Sequence, residues 1–304
     1  MRRLWLGALA AVAVALPLAG CGGEDLPDGI DGTVGDNWGA FSEVVQFVPD
    51  PGVCHRTPYQ PTAPAAEYQP VDCEQPHLVE TVHVGTFEGD AAELDAPPEP
   101  DSGAHRAAYR ECDEQATEYL GDGFREARLW LGVSLPSTAG WEGGARWFRC
   151  ELMEVESVYG DAVEREGSLA GALEGDSELR LGCYQVNVED GVVQELNPVG
   201  CDQVHQAEFV GVWRADGNDY PDPEDEDAEE RVYDGCRSQI ARFADLPDDE
   251  DLIYRTGTIA DWMSEQDWAA GDRAFRCYLW LPDVELTGSL RDAGADALPV
   301  RTEE

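Results

Sequence analysis

The chain has 304 residues, 42% of them hydrophobic, which suffices for one large or two modest globular domains and is too much for a disordered whole. With 63 acids against 20 bases the formal charge is −43, so nucleic acid and anionic lipid surfaces are excluded as electrostatic partners. Every base is arginine, and the absence of lysine excludes a Walker phosphate loop, a serine–lysine dyad and Schiff-base chemistry.

Residues 1–20 have the parts of a secretory signal peptide: Arg2 and Arg3, an apolar run from Leu4 to Leu18, and small residues before a cut. The run is about fifteen residues long and contains Pro17, short of the roughly twenty residues of a spanning helix. Leu18-Ala19-Gly20-Cys21 resembles the lipobox of bacterial lipoproteins. That resemblance implies a diacylglycerol on Cys21 and an address on the extracytoplasmic face of the cell membrane. Each buried methylene contributes about 0.8 kcal/mol, so several acyl chains anchor a domain lastingly. Residues 21–45, rich in Gly and Asp, read as a flexible acidic tether. Four isoleucines beside abundant Ala, Gly, Pro and Asp suggest a GC-rich, actinobacterial source.

Eight cysteines remain, an even number in an oxidising compartment, which points to four disulfides. Cys54, Cys73, Cys112 and Cys150 are separated by 19, 39 and 38 positions, and Cys183, Cys201, Cys236 and Cys277 by 18, 35 and 41. The flanking residues match too: Cys73-Glu74-Gln75-Pro76-His77 with Cys201-Asp202-Gln203-Val204-His205, and Trp141 to Cys150 with Trp268 to Cys277. Both sets close on Gly-Ser-Leu, at Gly167-Ser168-Leu169 and Gly288-Ser289-Leu290. These matches define tandem repeats over 46–172 and 176–292, followed by a disordered tail over 293–304.

Within each repeat the third cysteine falls on an amphipathic helix. Ala108, Cys112, Ala116 and Tyr119 form one buried stripe, and Val232, Cys236, Ile240 and Phe243 the other. Asp101-Ser102 and Glu224 to Glu230 suit the helix starts, and Gly121 and Pro247 the ends. Strands are expected over Leu78–Phe87, Arg128–Val133 and Arg146–Met153, then over Ala207–Trp213, Leu252–Thr256 and Arg273–Leu281. The fold class is therefore α+β, two tandem disulfide-bonded repeats, each a small antiparallel sheet packed on one helix. Favoured bridges are Cys54–Cys73, Cys112–Cys150, Cys183–Cys201 and Cys236–Cys277, although four cysteines allow three pairings per repeat. The acidic stretch Asp216–Asp227 lacks the glycine and terminal glutamate of a calcium-binding hand and reads as a solvated loop.

In order, a Cys, then Cys-x-x-Pro-His-x-x-Glu, a helical Cys, Trp-x-x-Gly-x-Arg-x-x-x-Cys and Gly-Ser-Leu resemble the septum-formation domain of actinobacterial membrane-associated proteins and lipoproteins. The resemblance covers nearly all of the mature chain as two copies, the second departing at Val204 and the first at Ala145, where the other has Asp272. It implies a part in building the division septum and supplies no catalytic residues.

For chemistry, His77 with Glu80 and His205 with Glu208 are the leading candidates, since a histidine beside a carboxylate shuttles protons or binds a metal. The structural alternative, a histidine fixing a turn behind each cystine, outweighs it. A two-histidine metal site needs further ligands, and His55, His83 and His105 all lie in the first repeat. Trp141 with Arg146 and Trp268 with Arg273 suit either a sugar- or peptide-stacking surface or core packing under an arginine, which is favoured. No catalytic residue, cofactor or metal is expected. The reading is a non-enzymatic interaction module in envelope or septum assembly, whose partners are the membrane through its lipid, and envelope or division proteins or cell wall. An envelope hydrolase using paired carboxylates and a small-solute or cation-binding protein are the alternatives.

Overall fold

The computed structural model describes residues 46–157, 160–189, 192–217 and 219–301. The signal peptide, Cys21, the tether and residues 302–304 of the expected tail lie outside the described residues.

The first half contains β1 (Val53–His55), β2 (Thr62–Ala63), β3 (Val79–Thr86), helix α1 (Gly103–Leu120), β4 (Leu129–Pro136), α2 (Thr138–Glu142) and β5 (Trp147–Glu154). Its sheet has the order β1-β3-β5-β4-β2, antiparallel except for the β2–β4 pair. The second half contains β6 (Cys183–Glu189), β7 (Val192–Val199), β8 (Ala207–Arg214), α3 (Glu226–Ala244), β9 (Gly257–Asp261), α4 (Glu265–Ala270), β10 (Ala274–Trp280) and α5 (Gly294–Ala297). Its sheet runs β7-β6-β8-β10-β9. Four strands and two helices thus recur in the same order: β1, β3, β5 and β4 with β6, β8, β10 and β9, α1 with α3, and α2 with α4.

Ser102 starts α1 by accepting from the His105 amide at 3.1 Å, and Gly121, at φ 88°, ends it in the left-handed conformation that suits glycine. The stripe Ala108, Cys112, Ala116 and Leu120 is buried against Leu131, Val133, Phe148, Cys150 and Leu152 of the sheet. In the second half Val232, Cys236 and Ile240 of α3 meet Phe275, Cys277 and Leu279 of β10. The bridges Cys112–Cys150 and Cys236–Cys277 fasten each helix to its sheet, and Cys54–Cys73 and Cys183–Cys201 fasten β1 and β6 to the loops that lead into β3 and β8. Among the described residues, no helix is long and apolar enough to cross a membrane.

Two expectations change. Leu252–Thr256 is not a strand; a 3-10 turn occupies Glu250–Tyr254, with the Asp249 side chain accepting from the Asp251 amide at 3.1 Å, and the strand starts at Gly257. A run of acids beside the capping aspartate favours helical over extended backbone there. Nor is the described part of the tail disordered: Leu298 is buried, its carbonyl accepts from Arg255 at 2.8 Å, and the Arg301 amide donates to Tyr254. The acidic stretch keeps its carboxylates exposed as a solvated loop up to the start of α3, and is tied down at Tyr220, which packs on Trp268 and donates to the Met263 carbonyl at 3.1 Å.

Arg125, nearly inaccessible, joins the halves. Its guanidinium donates to Asp272 of the second half through Nε and Nη2, at 3.0 and 2.7 Å, and to Asp113 through Nη1 at 2.8 Å. Burial opposes its charge, but the facing Tyr109, Asp272 and Asp113 hold its pKa above the ordinary value. From the other side Arg276 of β10 donates to the carbonyls of Arg125 and Leu129 at 3.0 and 3.1 Å. The departure of Asp272 from Ala145 thus has a structural reason, because Asp272 is the second half's anchor on the first. Removing one member of a buried charge cluster strands the others. Arg125→Leu is expected to lower the unfolding free energy by about 3 kcal/mol in a urea titration; a loss under about 1 kcal/mol would mean that the cluster is not what couples the halves.

Candidate binding site

The residues singled out by the repeat are placed in matching structural roles. His77 exchanges backbone hydrogen bonds with Arg165, and its Nδ1–H donates to the Gln75 carbonyl at 2.8 Å; His205 does the same with Leu286 and Gln203. A carbonyl only accepts, so Nδ1 carries the proton in both rings. The two Nε2 atoms are buried without a hydrogen-bond partner, that of His205 lying 3.5 Å from Glu208 Oε1.

Glu80 accepts from Tyr119 Oη at 2.5 Å, Ser168 Oγ at 2.6 Å and the Leu169 amide at 2.7 Å. Glu208 accepts from Ser289 Oγ at 2.7 Å and the Leu290 amide at 2.8 Å. The motif Gly-Ser-Leu is therefore the far end of a clamp whose near end is the glutamate. Cys54, Cys73 and Glu80 approach one another, as do Cys183, His205 and Glu208, but each set includes a sulfur already bonded in a cystine and without a thiolate to offer a metal. Trp141 and Trp268 are buried, with Arg146 and Arg273 lying 4.1 and 4.0 Å over their rings. Each arginine also donates to the carbonyl of its tryptophan.

A different group of residues lines a cavity. Trp147, Arg149 and Glu151 alternate with the helix-facing Phe148, Cys150 and Leu152 on β5, so they occupy the opposite face of the first sheet. Residues 57–68 and Phe47 cover that face and leave a narrow slot of about 40 Å³. Gly132 on β4 allows this cover, since a Cβ there would meet Tyr59 at 2.5 Å.

Inside the slot runs a polar chain. Thr81 Oγ1 donates to Glu151 Oε2 at 3.0 Å, so its contact of 3.1 Å with His55 must be donated by His55 Nε2–H. Glu151 Oε1 lies 2.8 Å from Arg149 Nε, close enough for an ion pair, but the two atoms are not aligned for a hydrogen bond. The Arg149 guanidinium carbon lies 5.8 and 5.9 Å from the ring centroids of Tyr68 and Trp147. Its terminal nitrogens make no hydrogen bond to the described residues and are open to solvent, while Nε and the Trp147 Nε1–H are buried and without a hydrogen-bond partner there. Burial, with the charges of Arg149 and His77 adding to it, holds the His55 pKa down to about 4. Burial pushes the Glu151 carboxyl up, against the pull of Arg149 and Thr81.

Strand register shows what the second half puts in the same places. Thr81 pairs with Glu151 as Phe209 pairs with Tyr278, and His55 faces Val79 as Tyr184 faces Ala207. Where the first half buries His55, Thr81 and Glu151, the second buries Tyr184, Phe209 and Tyr278, with ring centroids 5.5 and 5.6 Å apart. An uncharged aromatic stack satisfies this scaffold, so the costlier buried ionisable chain of the first half is not needed for folding. None of these residues stands out from motif spacing. The signal was the contrast between repeats, an aromatic triplet in one aligned with His55, Thr81 and Glu151 in the other.

A family model described as septum formation matches residues 51–277, a span that enters both halves. Neither the curated proteins nor the solved structures contain a match to the chain.

Two measurements test the polar chain. Because the folded pKa of His55 is depressed, its contribution is fully present above the unfolded value of 6.5 and is lost as pH falls to about 4. Stability should drop by on the order of 2 kcal/mol across that window, after allowance for screening, and His55→Leu should flatten this part of the curve; an unchanged curve would remove His55 from the chain. Arg149→Leu alone should cost about 3 kcal/mol by leaving Glu151 buried and unpaired, while Arg149→Leu with Glu151→Leu should recover most of it. Additive losses in that cycle would show that the two groups are not coupled.

Proposed function

The chain belongs to the septum-formation family, and from that premise we propose that it is a lipid-anchored interaction module on the extracytoplasmic face of the membrane, engaging envelope or division components without catalysis of its own. In this reading each half is one copy of a shared scaffold, the first carrying the contact site and the second acting as its rigid support.

The observation that carries the proposal is the slot in the first half, where polar groups that the second half replaces by aromatic rings leave hydrogen-bond donors unspent. Features expected of a hydrolase fit less well. A glycosidase needs two carboxylates free to act on one bond. Glu151 is held by Thr81 and Arg149, and the other carboxylate at the slot, Glu67, is exposed at its rim. A histidine held near 4 is also a weak general base at neutral pH. Glu80 and Glu208 are spent in the two clamps.

The test is crosslinking in living cells from a photoreactive residue placed at Glu67, followed by identification of what is captured. Capture of envelope or division proteins, or of cell wall, is expected, together with release from the membrane in Cys21→Ala. Capture that is the same from a position on the far side of the second half would overturn the assignment of the contact site, and unchanged membrane attachment of Cys21→Ala would overturn the anchor.

A further inference from the structure

We infer that the slot of the first half receives a single carboxylate end group, taken by the open fork of Arg149 and the Trp147 Nε1–H; this rests on the interaction reading above and names the chemistry of its ligand.

The molecule contains its own comparison. Arg125 and Arg149 are both more than nine-tenths buried. Arg125 has its whole fork satisfied, by Asp272 on one side, Asp113 on the other and Tyr109 Oη at 3.1 Å. Arg149 has one carboxylate, Glu151, beside Nε, and nothing on its terminal nitrogens among the described residues. A planar guanidinium offers two parallel N–H donors on that side, a geometry that matches a carboxylate better than any other common group. Arg276, at the equivalent place in the second half, donates from Nε and Nη2 to carbonyl oxygens of the neighbouring half and pairs through Nη1 with Asp261 of its own at 3.5 Å. An outward arginine on this face is thus a group that receives acceptors from another segment.

The other groups agree with an acceptor-rich ligand. Trp147 Nε1–H adds a donor, and Tyr68 Oη accepts from the Asp50 amide at 2.9 Å, which leaves its own proton available. A cavity of about 40 Å³ holds a few waters or one planar polar group, not a sugar ring or a helix. The ring of Tyr59 and Pro58 at the slot offer an apolar surface for the residue that carries the carboxylate. With a net charge of −43 an anion is on average repelled by this surface, so a carboxylate is drawn to places where arginine donors face outward.

The experiment is calorimetric titration of the full mature chain at physiological ionic strength. The probes are N-acetylated tripeptides ending in an apolar residue, each as the free acid and as the C-terminal amide, with the last residue in L or D configuration. Acids should bind and amides should bind at least tenfold more weakly. A preference for L ends points to a protein terminus and for D ends to the peptide of the cell wall; either supports the inference. Arg149→Lys, which keeps the charge beside Glu151 but removes the fork, should lose at least tenfold. Trp147→Phe, which keeps the ring and removes the donor, should lose about threefold in affinity. Equal affinity for acids and amides, no binding of any acid, or full binding by a folded Arg149→Lys would overturn it. Should the acids fail while crosslinks to envelope partners persist, the carboxylate inference falls and the interaction reading stands; acids that bind without any envelope crosslink give the reverse.

Discussion

Each sheet in this protein has two faces and a single long helix to cover them. An exposed apolar sheet face is not stable in water, so the uncovered side of each sheet has to find a second partner. The halves solve this differently. In the second, the helix-free face meets Leu181 and the segment from Phe124 to Leu129 of its neighbour, with Arg276 of that face donating to the carbonyls. In the first, a local excursion between β1 and β3 folds back over the face, adding the parallel strand β2 and the rings of Tyr59 and Tyr68. A loop of short and aromatic residues covers a flat sheet less completely than another domain does. The slot is what remains.

Arginine placement follows from the same constraint. With so few cations in a chain of charge −43, an arginine gains more by removing buried acceptors from want than by pairing on the surface, where exposed ion pairs contribute little. Arg125 and Arg276 are accordingly spent between the halves, and Arg146 and Arg273 are laid over tryptophans and tied to their carbonyls. Arg149 is the exception among these five, since it has an ion-pair contact with Glu151 at Nε and no hydrogen bond from its guanidinium to the described residues. A buried ion pair is weak evidence for stability, because desolvation offsets most of the attraction. The aromatic stack in the second half makes that general point specific to this fold.

Sequence legibility was uneven for physical reasons. Helices α1 and α3 were readable because a 3.6-residue period marks a stripe that must be buried, and β3, β4, β5, β8 and β10 because apolar and β-branched residues recur along them at short spacing. Short β1 and β2 have only three and two residues, too few for any period to appear, and β6 and β7 are largely exposed on one side with Pro198 among them. The 3-10 turn at Glu250–Tyr254 shows local capping chemistry overriding an apolar pattern. Regarding the site, matched motifs pointed to His77, Glu80 and their equivalents, and what they share is a role in the scaffold. Residues kept in both halves answer to a constraint that both halves face, so identity between repeats selects for folding.

Difference between repeats is then the better guide to activity, and its pattern is specific. The helix-to-sheet cystine, the glutamate clamp on Gly-Ser-Leu and the arginine over tryptophan occur twice, which fixes strand register to the residue in both sheets. With register fixed, a substitution such as Glu151 for Tyr278 changes only what faces the uncovered side and leaves the helix-facing core intact. The scaffold can therefore hold an energetically unfavourable polar chain in one half while the other half, packed apolar and bonded through Asp272 to Arg125, supplies stability to the pair. That division assigns the cost of the site to the half that carries it and the compensation to the interface. The anchoring cluster lies just ahead of β4, the strand that supplies Ser134 to the slot and pairs there with Arg149 of β5.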